Sequence, residues 1–253
     1  MRFLPIIIIC MFFSVDIFPQ QVQLPVTQNN VAFSYRVGHL SLIDELISGW
    51  QYSGRISGGE ILWCTGNSSH ITQLGFIYER GNQIKNFNVT ARVQNFTLYY
   101  NYLLLSARFP LFAKQFTVYL GPSTQIFQHT RKQDIGNTPL ETSSLGLVSI
   151  NLYNHIVIKL SSTLHLAGDF RLALLSFTGK TTDSLPGEEE PSSPQLLTAF
   201  SATDFYSLFS FQWMVHKHVA LHLEYSFNLK RITPWDYFRL LTDNLSIKLG
   251  VRF

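Results

Sequence analysis

The chain has 253 residues, of which 14% are charged and 46% apolar, and its net charge is +3. Ordinary soluble proteins are about 25% charged, yet here the scarcity of charge comes without the long apolar blocks of a helical membrane protein. Lys and Arg are scattered, with no basic cluster or stripe, so nucleic acid is excluded as an expected partner.

The chain opens with a positive residue, Arg2, and a short apolar run, Ile6-Ile7-Ile8-Ile9. That is the layout of a secretory leader, too short for the roughly 20 helical residues that span a bilayer. We expect a signal peptide over residues 1–20 and one domain over 21–253. Cys10 follows Ile9, where a lipid-attachment motif needs a small residue, so no lipid anchor is expected. Once the leader is removed Cys64 is the only cysteine, which rules out an intramolecular disulfide.

From there the chain alternates apolar and polar residues in one segment after another. Period-two alternation marks strands with one greasy and one wet face. It recurs at 31–37, 51–57, 71–79, 96–104, 115–127, 144–152, 155–174, 205–215, 218–230 and 245–253. In the ninth of these the odd positions are Val219, Leu221, Leu223, Tyr225, Phe227 and Leu229. In the seventh, Ile156, Ile158, Leu160, Leu164, Leu166, Phe170 and Leu172 face one way. Several segments reach the about 9 to 11 residues that a tilted strand needs to cross a bilayer. Phase slips near Gln94-Asn95 and Leu147-Val148 predict bulges, or strands running beyond the membrane.

Short turns are expected at 109–112, Asn154 and His216-Lys217, and long polar connections at 130–141, 178–198 and 231–238. Short and long alternate, as periplasmic turns and extracellular loops do in outer-membrane barrels. The longest connection is acidic and rich in Pro and Gly, and reads as an outer loop. Ten strands follow, although residues 40–47 read equally well as a short helix, which leaves eight as the alternative. The fold class is all-β: a transmembrane, antiparallel, up-and-down β-barrel. A soluble lipocalin-like or sandwich fold is the rival, because soluble β-proteins alternate too.

The last strand ends Leu249-Gly250-Val251-Arg252-Phe253, and every odd position from Leu245 is apolar. This ending resembles the terminal signal by which outer-membrane proteins are recognised by their assembly machinery; its read elements map to Ile247, Leu249, Val251 and Phe253. A second likeness lies in Leu103-Leu104-Leu105-Ser106-Ala107-Arg108-Phe109-Pro110, followed by Tyr119-Leu120-Gly121-Pro122-Ser123. These are similar to small porin-like "outer membrane protein β-barrel domain" sequences. The chain departs from that pattern at Tyr100-Asn101-Tyr102, where such families carry an acidic-apolar-Pro step. The resemblance implies a bacterial outer-membrane location with both termini periplasmic. The implied partners are outer-membrane lipid, the barrel-assembly machinery through the C-terminal strand, and other envelope proteins.

Polar positions of a barrel strand project into the lumen. One inward column holds Lys159, His165, Asp169 and Arg171; another holds His218, His222, Glu224 and Lys230. Ser161, His165 and Asp169 suggest a triad, but residues four apart on a strand are about 13 Å apart. The same spacing weakens His218 and His222 as a metal pair. In a narrow lumen such charges are expected to pair as a polar network. Tyr99, Tyr100, Tyr102, Phe211, Trp213, Tyr225, Phe227 and Phe253 read as membrane-interface aromatics. No cofactor motif is present. The expected role is structural, interactive or in envelope assembly, without catalysis. A narrow solute channel is the alternative, and a lipid- or peptide-modifying enzyme stands behind it.

Overall fold

A computed structural model describes residues 28–44, 48–86, 89–112, 114–135, 138–183, 192–199, 201–233 and 238–253. Alternating apolar and β-branched residues take the extended conformation there, and every described element is a strand. In chain order these are β1 (Gln28–Asp44), β2 (Ser48–Gly66), β3 (His70–Asn86), β4 (Val89–Leu111), β5 (Lys114–Ile135) and β6 (Thr138–Lys159). They continue as β7 (Leu164–Asp183), β8 (Ser192–Thr198), β9 (Ala202–His216), β10 (Val219–Ile232) and β11 (Phe238–Arg252). Neighbours pair antiparallel, and β1 pairs with β11 from Asn30↔Arg252 to Asp44↔Phe238, which closes the sheet.

The barrel has ten staves. β8 pairs with the upper part of β7 (Leu175↔Thr198) and β9 with its lower part (Leu172↔Phe205), so the two share one place in the ring. One end of the barrel, the turn end, carries the tight connections after β2, β4, β6 and β9. The other, the loop end, carries those after β1, β3, β5, β7 and β10. At the turn end Asn67 Oδ1 accepts from the Ser69 and His70 amides at 2.8 and 3.1 Å, and Phe112 takes a left-handed φ of 50°.

Several expectations need correction. Residues 155–174 are not one strand: the chain turns between Lys159 and Leu164, while Asn154 sits inside β6, paired with Leu120 and Phe170. The turn escaped detection because Ile158 pairs with Leu166; that even spacing keeps the alternation in phase straight through the hairpin. Segment 130–141 is mostly strand, with β5 running to Ile135 and β6 starting at Thr138. Likewise β7 runs to Asp183, and β8 occupies the far side of the 178–198 connection. Residues 40–44 are strand and not helix. Residues 1–20 with Cys10, residues 45–47 and the acidic segment 184–191 lie outside the described residues.

The phase slips have a different cause from bulges. Pairing across Gln94-Asn95 and Leu147-Val148 is unbroken. What changes there is which face is greasy. Towards the turn end the barrel is apolar outside, with Tyr35 65%, Ile247 60% and Leu223 50% exposed. Towards the loop end the apolar residues point inward: Leu40, Leu42, Ile84, Val93, Phe127, Leu147 and Leu240 are at most 2% exposed and form one cluster. The first scheme suits hydrocarbon outside, the second water outside. β4, β5 and β6 have 23, 22 and 22 residues, about twice the 9 to 11 of a bilayer crossing. The strands therefore continue past the membrane, and the apolar core sits in that projecting part.

Candidate functional site: the charged lumen

Below the apolar cluster the inward positions are polar. The buried charged side chains are Arg36, Arg131, Arg171, Lys230 and Lys248 against Glu60, Glu79, Asp169, Asp204 and Glu224. Among the described buried side chains five cations stand against five carboxylates, so their formal charges balance. Isolated buried charges cost several kcal/mol each, and pairing is what lets this lumen exist.

Lys248 on β11 is the hub. Its Nζ lies 3.1 Å from Glu60 Oε2 on β2 and 2.9 Å from Glu224 Oε1 on β10. Tyr99 on β4 donates its hydroxyl to Glu60 Oε1 at 2.5 Å, and Ser246 donates to Glu224 Oε2 at 3.2 Å. Tyr99 reaches inward because Gly75, its pairing partner on β3, leaves the space: a Cβ there would stand 2.1 Å from Tyr99 Cζ. Tyr99 is thus a lumen residue, in contrast to the interfacial position expected for it.

A second group centres on Glu79. Arg36 Nε is 3.6 Å from Glu79 Oε1, and the Arg36 Nη2 donates to Ser226 Oγ at 2.9 Å. Asn244 donates to Glu79 Oε1 at 3.1 Å, and Asn95 to Oε2 at 3.4 Å. Nearer the loop end, Lys230 Nζ is 2.6 Å from Asp204 Oδ2 and 4.5 Å from the Phe127 ring centroid. Arg171 stacks over Tyr206 at 4.9 Å, and Arg131 over Tyr52 at 5.1 Å. Between these groups a cavity of about 50 Å³ remains, walled by Arg36, Glu60, Glu79, Tyr99, Asp169 and Lys248 among others. That is room for a few waters and no more.

Of the residues singled out in the sequence, Asp169, Arg171, Glu224 and Lys230 are buried inside. His165 and His222 are half-buried lower down, and His222 Nδ1 is 3.9 Å from Glu224 Oε1. Lys159 and His218 are exposed at turns, outside the network, because each stands where its hairpin reverses. No triad assembles: Asp169 pairs with His155 across β6 and β7, while Ser161 lies in the exposed turn with Thr163. Among the described residues no three His, Cys, Asp or Glu side chains group as metal ligands. Ile247, Leu249, Val251 and Phe253 all point outward, 41 to 71% exposed.

The sequence reading missed Arg36, Glu60, Glu79, Arg131, Asp204 and Lys248. A signal was there. Arg36 stands between Tyr35 and Val37, and Lys248 between Ile247 and Leu249. A single charge set in an alternating apolar frame faces away from the greasy side.

The solved structure of the outer-membrane protease OmpT from Escherichia coli superposes with a TM-score of 0.57 at 9% identity, over 89% of this chain and 97% of that one. The chain has the fold of an outer-membrane β-barrel. Also similar is neisserial surface protein A, with TM-score 0.41 and 12% identity over 88% of this chain and 97% of that one. The attachment invasion locus protein Ail of Yersinia pestis gives 0.37 and 10%, over 89% and 99%. These outer-membrane barrels carry different roles, and at such identities the likeness is one of fold. No protein-family model matches the chain, and neither does any curated sequence.

Proposed function

We propose that this outer-membrane barrel is a closed, non-catalytic wall element that works through its surfaces, as a membrane subunit or display scaffold of the cell envelope. One observation carries the reading: the lumen is blocked twice in series. The paired charges fill its middle, and the cluster of Leu40, Leu42, Ile84 and Leu240 fills it towards the loop end. A solute would have to break several buried ion pairs, each costing about 3–5 kcal/mol when one partner is lost. The triad that Ser161, His165 and Asp169 suggested does not form, since Asp169 bonds His155 and Ser161 lies in an exposed turn.

In this reading the turn end and both termini are periplasmic, and the loop end projects outside. Ile247, Leu249, Val251 and Phe253, on the lipid-facing side of β11, serve as the tag read by the barrel-assembly machinery. Planar-bilayer recording tests the closed lumen. Purified barrel is expected to insert without discrete current steps. Reproducible, ion-selective openings from the intact protein would replace this proposal with a narrow solute channel.

A further inference from the structure

The outward face changes character where the apolar band ends, and the described charged side chains there are mostly basic. Exposed Arg55 (β2), Arg80 and Lys85 (β3), Arg92 (β4), Lys132 (β5) and Arg231 (β10) all stand at the loop end of the outer wall. Among the described side chains, the one carboxylate on the outer wall there is Asp243 of β11, paired in register with His39. The other described carboxylates are turned inward to the lumen network. Pairing puts these positions in a row: His39 lies opposite Arg55, and Arg92 opposite Lys132, while Arg80 and Lys85 flank the irregular pairing of β2 with β3. With strands about 4.8 Å apart, the row from β1 to β5 spans about 20 Å.

Two further features point to an amphipathic occupant. Nearer the turn end lie Tyr78 and Phe96 on β3 and β4, and Val37 and Tyr35 on the neighbouring β1, all exposed and apolar. The irregular pairing also opens a groove of about 1140 Å³ in the outer wall. Arg55, Arg80 and Lys85 line it with the His39 and Asp243 pair, and Val37, Tyr225 and Leu245 give it an apolar floor. An anionic headgroup fits the first set and acyl chains the second. A free anion has no use for the apolar floor, and a folded acidic protein would not reach below the membrane boundary.

We propose that this groove and cation row bind a lipid with phosphate groups on its headgroup, from the leaflet that meets the loop end. The phosphates lie along Arg55, Arg80, Lys85 and Lys132, and the acyl chains run down over Val37, Tyr225 and Leu245. The site does not depend on whether the lumen is closed, so it stands or falls apart from the function proposed above.

The test is native mass spectrometry of detergent-purified barrel titrated with a diphosphorylated glycolipid of the lipid A type, with phosphatidylcholine as the zwitterionic control. Each basic side chain beside an anionic surface contributes roughly fivefold to binding. The variant R55Q/R80Q/K85Q/K132Q is therefore expected to lose on the order of 600-fold in glycolipid affinity. Its phosphatidylcholine adducts should be unchanged. The charge-preserving R55K/R80K is expected to bind within a few-fold of the parent. All four substituted side chains are exposed, and retained heat-modifiable gel mobility shows that each variant is folded; should the quadruple variant fail that check, R55Q/R80Q is measured in its place, with a loss of roughly twentyfold expected. Equal glycolipid binding by parent and glutamine variant overturns the proposal. So does displacement of the glycolipid by inorganic phosphate at the same concentration, which would make this a free-anion site.

Discussion

Replacing Lys248 by Met isolates the energetic logic of the lumen. The substitution keeps the side chain's apolar stem and removes the ammonium from between Glu60 and Glu224. Each carboxylate has an oxygen about 3 Å from the same ammonium nitrogen, so the two oxygens can be at most about 6 Å apart. At an effective dielectric of about 20, two like charges at that distance repel by about 3 kcal/mol. Loss of one partner from a buried ion pair costs about 3–5 kcal/mol by itself, much of it this same uncompensated charge. A net destabilisation of about 3–5 kcal/mol is expected. The assay is urea unfolding of barrel folded into lipid vesicles, followed by tryptophan fluorescence. With an m-value of about 2 kcal/mol/M, the midpoint should fall by about 2 M. The triple variant K248M/E60Q/E224Q removes the cation and both anions together, and should regain most of the loss. An unchanged midpoint for K248M, or a triple variant weaker than the single one, would refute the reasoning that Lys248 stabilises the lumen by offsetting the charges of Glu60 and Glu224.

Truncating the loop-end cluster with Leu40→Ala or Leu240→Ala should cost about 2–5 kcal/mol in the same unfolding assay, because both sites are sealed from water; a change under about 0.5 kcal/mol would mean the cluster carries little of the stability. Gly75→Ala should push the Tyr99 ring off its perch and break its bond to Glu60, a loss of about 1–3 kcal/mol. Adding Tyr99→Phe to Gly75→Ala should then cost little more, and fully additive losses would separate the two residues. Phe253→Ala should lower the yield of heat-modifiable barrel in cells while leaving spontaneous folding into vesicles unchanged; equal defects in both settings would make Phe253 a packing residue and not an address.

The ten staves were readable because each crosses the membrane zone with apolar residues at every second position, as at Leu221, Leu223 and Tyr225. The turn after Lys159 was not, since a connection of matching parity leaves no mark on the alternation. The polarity inversion left a mark that has two meanings. Val93 and Phe96 break the period as a bulge would, and only the unbroken pairing of Gln94 and Asn95 with Arg80 and Glu79 separates the two. Individual lumen charges were half legible. Asp169, Arg171, Glu224 and Lys230 announce an inward column within a strand. Their partners depend on strand tilt and stagger, which bring Arg36 to Ser226 from 190 residues away. Lys248 meets Glu60 across the intervening β1 for the same reason. No period in the sequence encodes that stagger.

The swap from greasy-outside to greasy-inside also gives the barrel a waterline. At a tilt near 45°, sliding by one two-residue repeat moves the wall by about 5 Å along the membrane normal. Sinking by that much carries Arg55, Arg80 and Lys132 towards hydrocarbon, where a basic residue costs up to about 2–4 kcal/mol at the midplane. Rising exposes the Tyr35, Ile247 and Leu223 levels to water at about 25 cal/mol for each Å². Both displacements are opposed, so the protein floats at one draught. A bilayer of another thickness must then deform to meet it, at fractions of a kcal/mol per Å, and the barrel becomes a gauge of the membrane in which it sits.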